Sequence, residues 1–463
     1  MINISEKKFK EKRNNAKGFS VISEFRGDEI TPIGIFNGFN GKRKFILEGG
    51  TKENHFGRYS FLGENPYLEI KGNTKEEIMK IRDNVQINFD NSTNKFSFKG
   101  GAIGYIGYDS IELYEKKLNF RSLDKLNLPI IRFNFYRNYI CYDHFTHKVY
   151  VVDNIFKDDH RTYNEIIENQ KNYIKNVNKN INLYITDEKK ENIEFSFETS
   201  KEEFIKNVKK AKSHILDGDI FQIVLSQRMF CNTKKDPIEI YRRLREENPS
   251  PYMYLIDYDN YQVIGSSPES LVSIKEDKIT TNPIAGTRKR GKNNKEDCFL
   301  EKELLQDEKE IAEHVMLVDL GRNDIGKVSN IGTVEVNDFM KVEKFSHVMH
   351  ITTTVSGEIN EKYDNFDGLF ACLPAGTVSG APKIRAMEII DEFEKSKRGI
   401  YSGAVGYFSY GGEMDMAIAI RTIVLKEDIA YLQAGAGIVY DSIPEKEFDE
   451  IQNKLMVLKE ILR

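Results

Sequence analysis

The chain of 463 residues is long enough for two or three domains and carries ample apolar residues for packed cores, which excludes a largely disordered protein. Its 68 basic and 72 acidic residues leave a net charge of -4, so neither a nucleic-acid footprint nor an anionic-membrane surface is expected. Cys141, Cys231, Cys298 and Cys372 lack C-x-x-C spacing, and no run approaches the roughly 20 apolar residues of a membrane span. The expectation is a soluble cytoplasmic protein without a zinc site, a disulfide framework or a signal peptide.

Residues 1–155 read as an α+β region, in which period-2 runs such as 43–47 and 130–135 are separated by Gly and Asn turns. Residues 156–195 form a linker-like segment. From Asn169 to Asn192 it is rich in Asn, Lys and Glu, which marks either a solvated helix followed by a loop or an interdomain linker.

The third region, 196–463, opens on the capping box Ser200-Lys-Glu-Glu203, and the stripe Phe204, Val208, Ala211, Ile215 predicts a helix ending at Gly218. Residues 220–228 alternate as a strand, with Gln222, Val224, Ser226 and Arg228 on one partly polar face. Asp236-Pro237 starts a helix that stops before Asn248-Pro249. Strands are expected at 252–258, 261–265 and 270–284, one long charged helix at about 295–318, and strands again within 331–357. Pro382 opens a helix, and a strand, a Gly411-Gly412 hairpin, two more strands and a terminal helix complete the chain. This order indicates an α+β or layered sheet fold.

Two carboxylate pairs at helical i,i+3 spacing, Glu310/Glu313 and Glu447/Glu450, each fall on one helix face. Oxygen-only ligation suits a hard ion such as Mg2+, although such pairs in an acidic-rich chain are usually solvated. Apolar neighbours (Ile311 and Val315; Phe448 and Ile451) make a burial cost that coordination would offset. The loop 373–383 brings Thr377 to a helix start, where free N–H groups meet an anion or simply cap the helix. Gly435-Ala436-Gly437 reads as a turn that admits close backbone approach. Arg421, inside the apolar run 417–424, needs an anion partner. His350 lies in a strand-like stretch where a lone histidine is more often structural, and Glu269 follows Pro268 at a position that is commonly exposed. No nucleophile elbow, Walker loop or dinucleotide fingerprint is present.

Taken together, the blocks 218–228, 265–270, 283–288, 312–324, 373–388 and 433–454 resemble the chorismate-utilising enzyme family from Lys201 to Leu462. The resemblance implies layered antiparallel β-sheets with helices packed outside, and chorismate as substrate. Within the family it is to the anthranilate-forming members, the anthranilate synthase component I group, which combine chorismate with ammonia and release pyruvate at the first step of tryptophan biosynthesis. Gln222 stands where water-adding members carry a lysine base, and Ala285 where aminodeoxychorismate synthases often carry a nucleophilic lysine.

The same resemblance assigns roles residue by residue. Mg2+ falls to Glu313 and Glu450, with Glu310 and Glu447 supporting. Gly286, Thr287, Tyr401, Arg421, Gly435, Ala436, Gly437 and Lys454 bind substrate. Glu269 is the general acid for the departing C4 hydroxyl, His350 assisted by Thr377 transfers a proton during pyruvate elimination, and Gln222 completes the catalytic set. Residues 45–48, 57–63 and 248–253 resemble a tryptophan feedback site comprising Glu48, Gly49, Pro251, Tyr252 and Met253. Gly49 replaces a hydroxyl-bearing residue there, so weakened feedback is expected. The chain shows no glutaminase motif, which implies a separate glutamine amidotransferase subunit. Two alternatives stand beside this reading: aminodeoxychorismate synthase component I, and a noncatalytic ligand-binding regulator on the same fold.

Overall fold

Short alternating runs assemble into two sheets, of 13 and 10 strands, in the computed structural model, which describes residues 1–15, 18–49, 57–179, 192–344 and 348–463. Pairing is antiparallel throughout the named strands except where Gly18–Arg26 meets Phe89–Asp90 in parallel. Each sheet is built from both ends of the chain. Tyr252–Asp257 pairs with Phe45–Glu48 in the larger sheet, and Ala404–Ser409 pairs with Gly101–Ile106 in the smaller.

Strand alternation gives each sheet two apolar faces, and the packing is therefore layered. Between the sheets lies an aromatic core that includes Phe45, Phe61, Tyr105, Tyr139, Tyr254 and Tyr407. Burying each such ring stabilises the fold by on the order of 2–3 kcal/mol relative to exposure. On the outer face of the larger sheet, helices Lys201–Leu216, Pro237–Glu247, Lys383–Phe393 and Pro444–Leu462 bury Val208, Leu244, Ile389 and Leu455 against Ile223 and Leu432. On the smaller sheet, Lys75–Val85, Glu308–Gly326 and Asn365–Cys372 bury Ile81, Val318 and Leu369 against Phe133, Ile274 and Met416. The α+β layered antiparallel fold with helices outside is thus observed.

Local signals set most element ends. The Ser200 hydroxyl accepts from Glu203 N, Asp236 accepts from Ile238 N ahead of Pro237, and Gly411 and Gly412 take positive φ at the hairpin between Ala404–Ser409 and Met414–Ile418. The linker-like segment contains helix Tyr163–Lys179, and residues 180–191 lie outside the described ones.

Three expectations are corrected. The single charged helix is two, Asn294–Leu304 and Glu308–Gly326, because Asp307 adopts extended backbone and caps Lys309 N and Glu310 N. Gly435–Gly437 is no turn; it lies inside strand Ile429–Ile438, paired with Gln222–Asn232. Arg421 is not in a strand either, since it takes a φ of 50° in the link between Met414–Ile418 and Thr422–Lys426. Among the described residues no helix is long and apolar enough to cross a membrane.

Candidate active site

The chain crosses between the sheets twice at one place. Strand Tyr261–Ser267 belongs to the larger sheet and Ser270–Lys275 to the smaller, with Glu269 in the crossing. Met414–Ile418 of the smaller sheet leads to Thr422–Lys426 of the larger, with Arg421 in that crossing. Backbone bonds tie the two together: Ile418 N–H donates to Glu269 O at 3.0 Å, and Ser266 N–H donates to Arg421 O at 3.1 Å. The backbones of two residues that look isolated in sequence, an acid and a cation, are therefore held in adjacent crossings.

Glu269 is buried, at 8% exposure, which corrects the expectation of an exposed turn residue. Burial pushes its carboxyl up from 4.5 to about 7, with Thr377 and, more distantly, Lys454 opposing the rise. Thr377 sits in the short turn Gly376–Val378, and its buried hydroxyl has no hydrogen-bond partner among the described residues. The hydroxyl beside His350 is that of Thr287, 3.1 Å from Nδ1. His350 Nδ1 also lies 3.0 Å from Gly286 O, and a carbonyl can only accept, so Nδ1 carries the hydrogen and the neutral ring keeps its lone pair on Nε2. Burial, and then the nearby Arg421 charge, hold the His350 pKa below its ordinary value, partly countered by the Gly286 bond. Gly286 takes a φ of 64° at a bulge in Ile284–Lys289, which turns Thr287 opposite His350 on the neighbouring strand.

The four carboxylates come from two helices, Glu310 and Glu313 from Glu308–Gly326, and Glu447 and Glu450 from Pro444–Leu462. Glu313 has its pKa raised first by burial and also by the charges of Glu310 and Glu450, while Gln222 lowers it. Glu447 is raised by burial and by Glu450, with Ser442 lowering it. Gln222 Nε2 donates to Glu313 Oε1 at 3.1 Å, and its Oε1 is buried without a partner. Two cations hold the outer members: Arg288 reaches Glu310 at 3.2 Å, and Lys454 reaches Glu450 at 2.7 Å. Among the described residues, no three or more His, Cys, Asp or Glu side chains stand together in ligating arrangement. The charges of Glu310 and Glu450 act on Glu313, and that of Glu450 on Glu447, beside an amide oxygen without a partner; oxygen donors of this type are those a hard divalent cation takes.

The glycines supply clearance. A Cβ on Gly437 would stand 2.8 Å from Gln222 Nε2, and one on Gly435 would stand 2.9 Å from the Tyr401 hydroxyl. Lys454 Nζ donates to Gly435 O at 2.9 Å. Tyr401 is buried, which pushes its phenol up to about 12. Arg421 is partly buried, and that burial lowers its pKa against the opposing effect of Tyr401; it makes no ion pair with a described carboxylate. A guanidinium without a described carboxylate partner in such a place is chemically suited to an anion.

A family model described as chorismate binding enzyme matches residues 42–460. The chain belongs to the chorismate binding enzyme family. It is 46% identical to anthranilate synthase component 1 of Acetivibrio thermocellus, over 96% of this chain and 95% of that protein. It is 43% identical to the protein of the same name from Aquifex aeolicus, over 99% of this chain and 97% of the relative. The crystal structure of anthranilate synthase component I from Streptococcus pneumoniae superimposes with a TM-score of 0.80 at 38% identity, covering 95% of this chain and 99% of that one. The menaquinone-specific isochorismate synthase of Escherichia coli shares the fold, with a TM-score of 0.73 at 17% identity over 99% of both chains.

For a chorismate binding enzyme, the region around Glu48 is a second polar site distant from the carboxylate cluster in sequence. Glu48 is buried and accepts from the Ser60 hydroxyl at 3.0 Å and the Tyr241 hydroxyl at 2.7 Å, with Arg245 3.3 Å away. Met253 pairs with Glu48 across neighbouring strands, and the Tyr252 hydroxyl donates to Asp415 at 3.1 Å. Pro251 immediately precedes that strand, and Gly49 immediately follows Glu48 beside residues 50–56, which lie outside the described ones.

Sequence reasoning missed Arg288. It bridges Glu303, Asp307 and Glu310 and so sets the position of a metal-candidate carboxylate. Its place two residues after Gly286 on the same strand was the available signal.

Proposed function

We propose that this chain converts chorismate and ammonia into anthranilate, pyruvate and water. The observation that carries the reading is Arg421: a partly buried cation without an ion-pair partner among the described residues, placed at the double crossing and acting on His350 and Tyr401. Chorismate is a dianion, and this guanidinium with Tyr401 and the Gly435–Gly437 backbone suits its enolpyruvyl carboxylate. Gly286 and Thr287 border the ring.

Glu269, with a pKa of about 7, retains a proton at neutral pH and can give it to the departing C4 hydroxyl as ammonia bonds to C2. His350, kept neutral by burial and fixed by Gly286 O, then takes the C2 proton through Nε2 as the C3–O bond breaks, and a proton delivered to the methylene carbon of the departing enolpyruvate gives pyruvate. The Gln222 amide is no base for water, which favours ammonia as nucleophile over hydration. Mg2+, held by Glu313 and Glu450 with Glu310 and Glu447 in support, would supply the positive charge for the ring carboxylate. The identity of the relatives favours anthranilate over aminodeoxychorismate and over a noncatalytic regulator.

Ammonia is supplied by a glutamine amidotransferase subunit, a reading supported by the word component in the relatives' names and by the missing glutaminase motif. Tryptophan binds near Glu48, Gly49, Pro251, Tyr252 and Met253 and inhibits weakly. Purified chain incubated with chorismate, Mg2+ and ammonium should form anthranilate and equimolar pyruvate. Glutamine should replace ammonium only when the partner is added. Aminodeoxychorismate as product, or chorismate binding without turnover, would overturn the proposal.

A further inference from the structure

Arg398 is 2% exposed and lies outside every group assigned above. Its guanidinium makes four hydrogen bonds: Nε to Glu394 Oε2 at 2.8 Å, Nη2 to Glu394 Oε1 at 2.7 Å, Nη1 to Val378 O at 2.6 Å, and Nη2 to Val224 O at 2.7 Å. The two carbonyls belong to different parts of the candidate site. Val378 follows Thr377 directly, and Val224 is the cross-strand partner of Gly437. Glu394 extends the clasp, because its Oε1 also accepts from Ser226 N at 2.7 Å, and Ser226 pairs with Gly435.

A planar, five-donor fork can span a carboxylate and two separate carbonyls at once, whereas a lysine ammonium on a single tip cannot. A buried ion pair is a poor way to add stability, since its desolvation offsets most of its attraction. The geometry gives it another use. Just past the turn Gly376–Val378, backbone pairing joins the chain to strand Gln222–Asn232, with Val224 N to Ser379 O at 2.9 Å and Gly380–Ala381 paired with Ile223 and Gln222; within the turn itself, the Val378 carbonyl is tied to the strand by this guanidinium. Without the guanidinium the turn loses that tie beside the cavity which Thr377 and Glu269 both line.

We propose that Arg398, oriented by Glu394, is a positioning residue that fixes the Thr377 turn against Glu269 and the glycine strand. Its kinetic consequence rests on the chorismate-amination reading. The decisive experiment is a double-mutant cycle on the full chain, with chorismate, Mg2+ and ammonium. Arg398→Lys and Thr377→Val should each lower kcat by about tenfold, and the double variant should fall no more than about twofold below the weaker single one. The KM for ammonium should not change. Wild-type kcat in folded Arg398→Lys, or a double variant lower by about a hundredfold, would overturn the proposal.

If Arg398→Lys does not fold, Glu394→Gln carries the test. It keeps the guanidinium and weakens its orientation, so about a threefold loss that vanishes in the Thr377→Val background is expected, and an unchanged kcat refutes the idea. A second readout needs no turnover. Thr377 opposes the rise in the Glu269 pKa, so Arg398→Lys, like Thr377→Val, should move the Glu269 contribution to pH-dependent stability toward higher pH. Should the wild type form no anthranilate, the reaction assignment fails, and this shift alone decides the proposal: its presence supports the clasp and its absence refutes it.

Discussion

Glu269→Gln tests the buried acid without any assumption about substrate. The native carboxyl titrates near 7 rather than at 4.5 because burial disfavours its charge. Below 4.5 the native and unfolded chains both hold this proton, and the group favours neither. Between 4.5 and about 7 the unfolded chain releases it while the native chain retains it, so native stability falls as pH rises and levels off above about 8. The full difference is worth about 3 kcal/mol. Asp109 and Asp415, raised by burial to about 6, titrate in the same window, so the quantity to follow is wild type minus variant. Urea unfolding of both proteins at pH values from 4.5 to 8.5 should show the wild type losing about 3 kcal/mol relative to Glu269→Gln. A difference that stays flat across that range would refute the burial argument.

Glu313→Gln should abolish Mg2+-dependent turnover while leaving the chain folded by circular dichroism, because a buried charge is removed and the Gln222 contact can persist as an amide pair. Full activity in that variant would remove Glu313 from the metal set. Arg421→Gln should raise the KM for chorismate by on the order of a hundredfold, the loss of a charge-assisted contact worth about 2–3 kcal/mol, without lowering the melting temperature, since no protein ion pair is broken. Gly437→Ala should displace the Gln222 amide 2.8 Å from the new methyl group, and activity should fall at least tenfold for a stability loss of about 1–2 kcal/mol, measured side by side in one thermal and one kinetic assay.

Helix starts and hairpins were legible because they are encoded within four residues: Ser200 to Glu203, Asp236 to Ile238, and Gly411-Gly412 each carry their own hydrogen-bond or φ requirement. The i,i+3 carboxylate pairs were legible for the same reason, being one helical turn each. What stayed hidden depends on pairing between distant segments. Glu269 looks like a solvent-exposed turn residue until Ile418 N–H reaches its carbonyl and the two crossings bury it. Gly435 and Gly437 look like a turn because glycine more often serves one, and only the side chains of Tyr401 and Gln222, supplied by other elements, show why a strand needs them. Asp307 splits the charged helix through its own side chain, a local signal that the strong helical pattern on either side obscured.

The most direct measurement is the fate of nitrogen in a reaction of the purified chain with chorismate, Mg2+ and isotopically labelled ammonium. Labelled anthranilate should accumulate with one pyruvate released per turn, and only while the metal is present. Unlabelled products, labelled aminodeoxychorismate, or anthranilate formed equally well after chelation would each contradict the account.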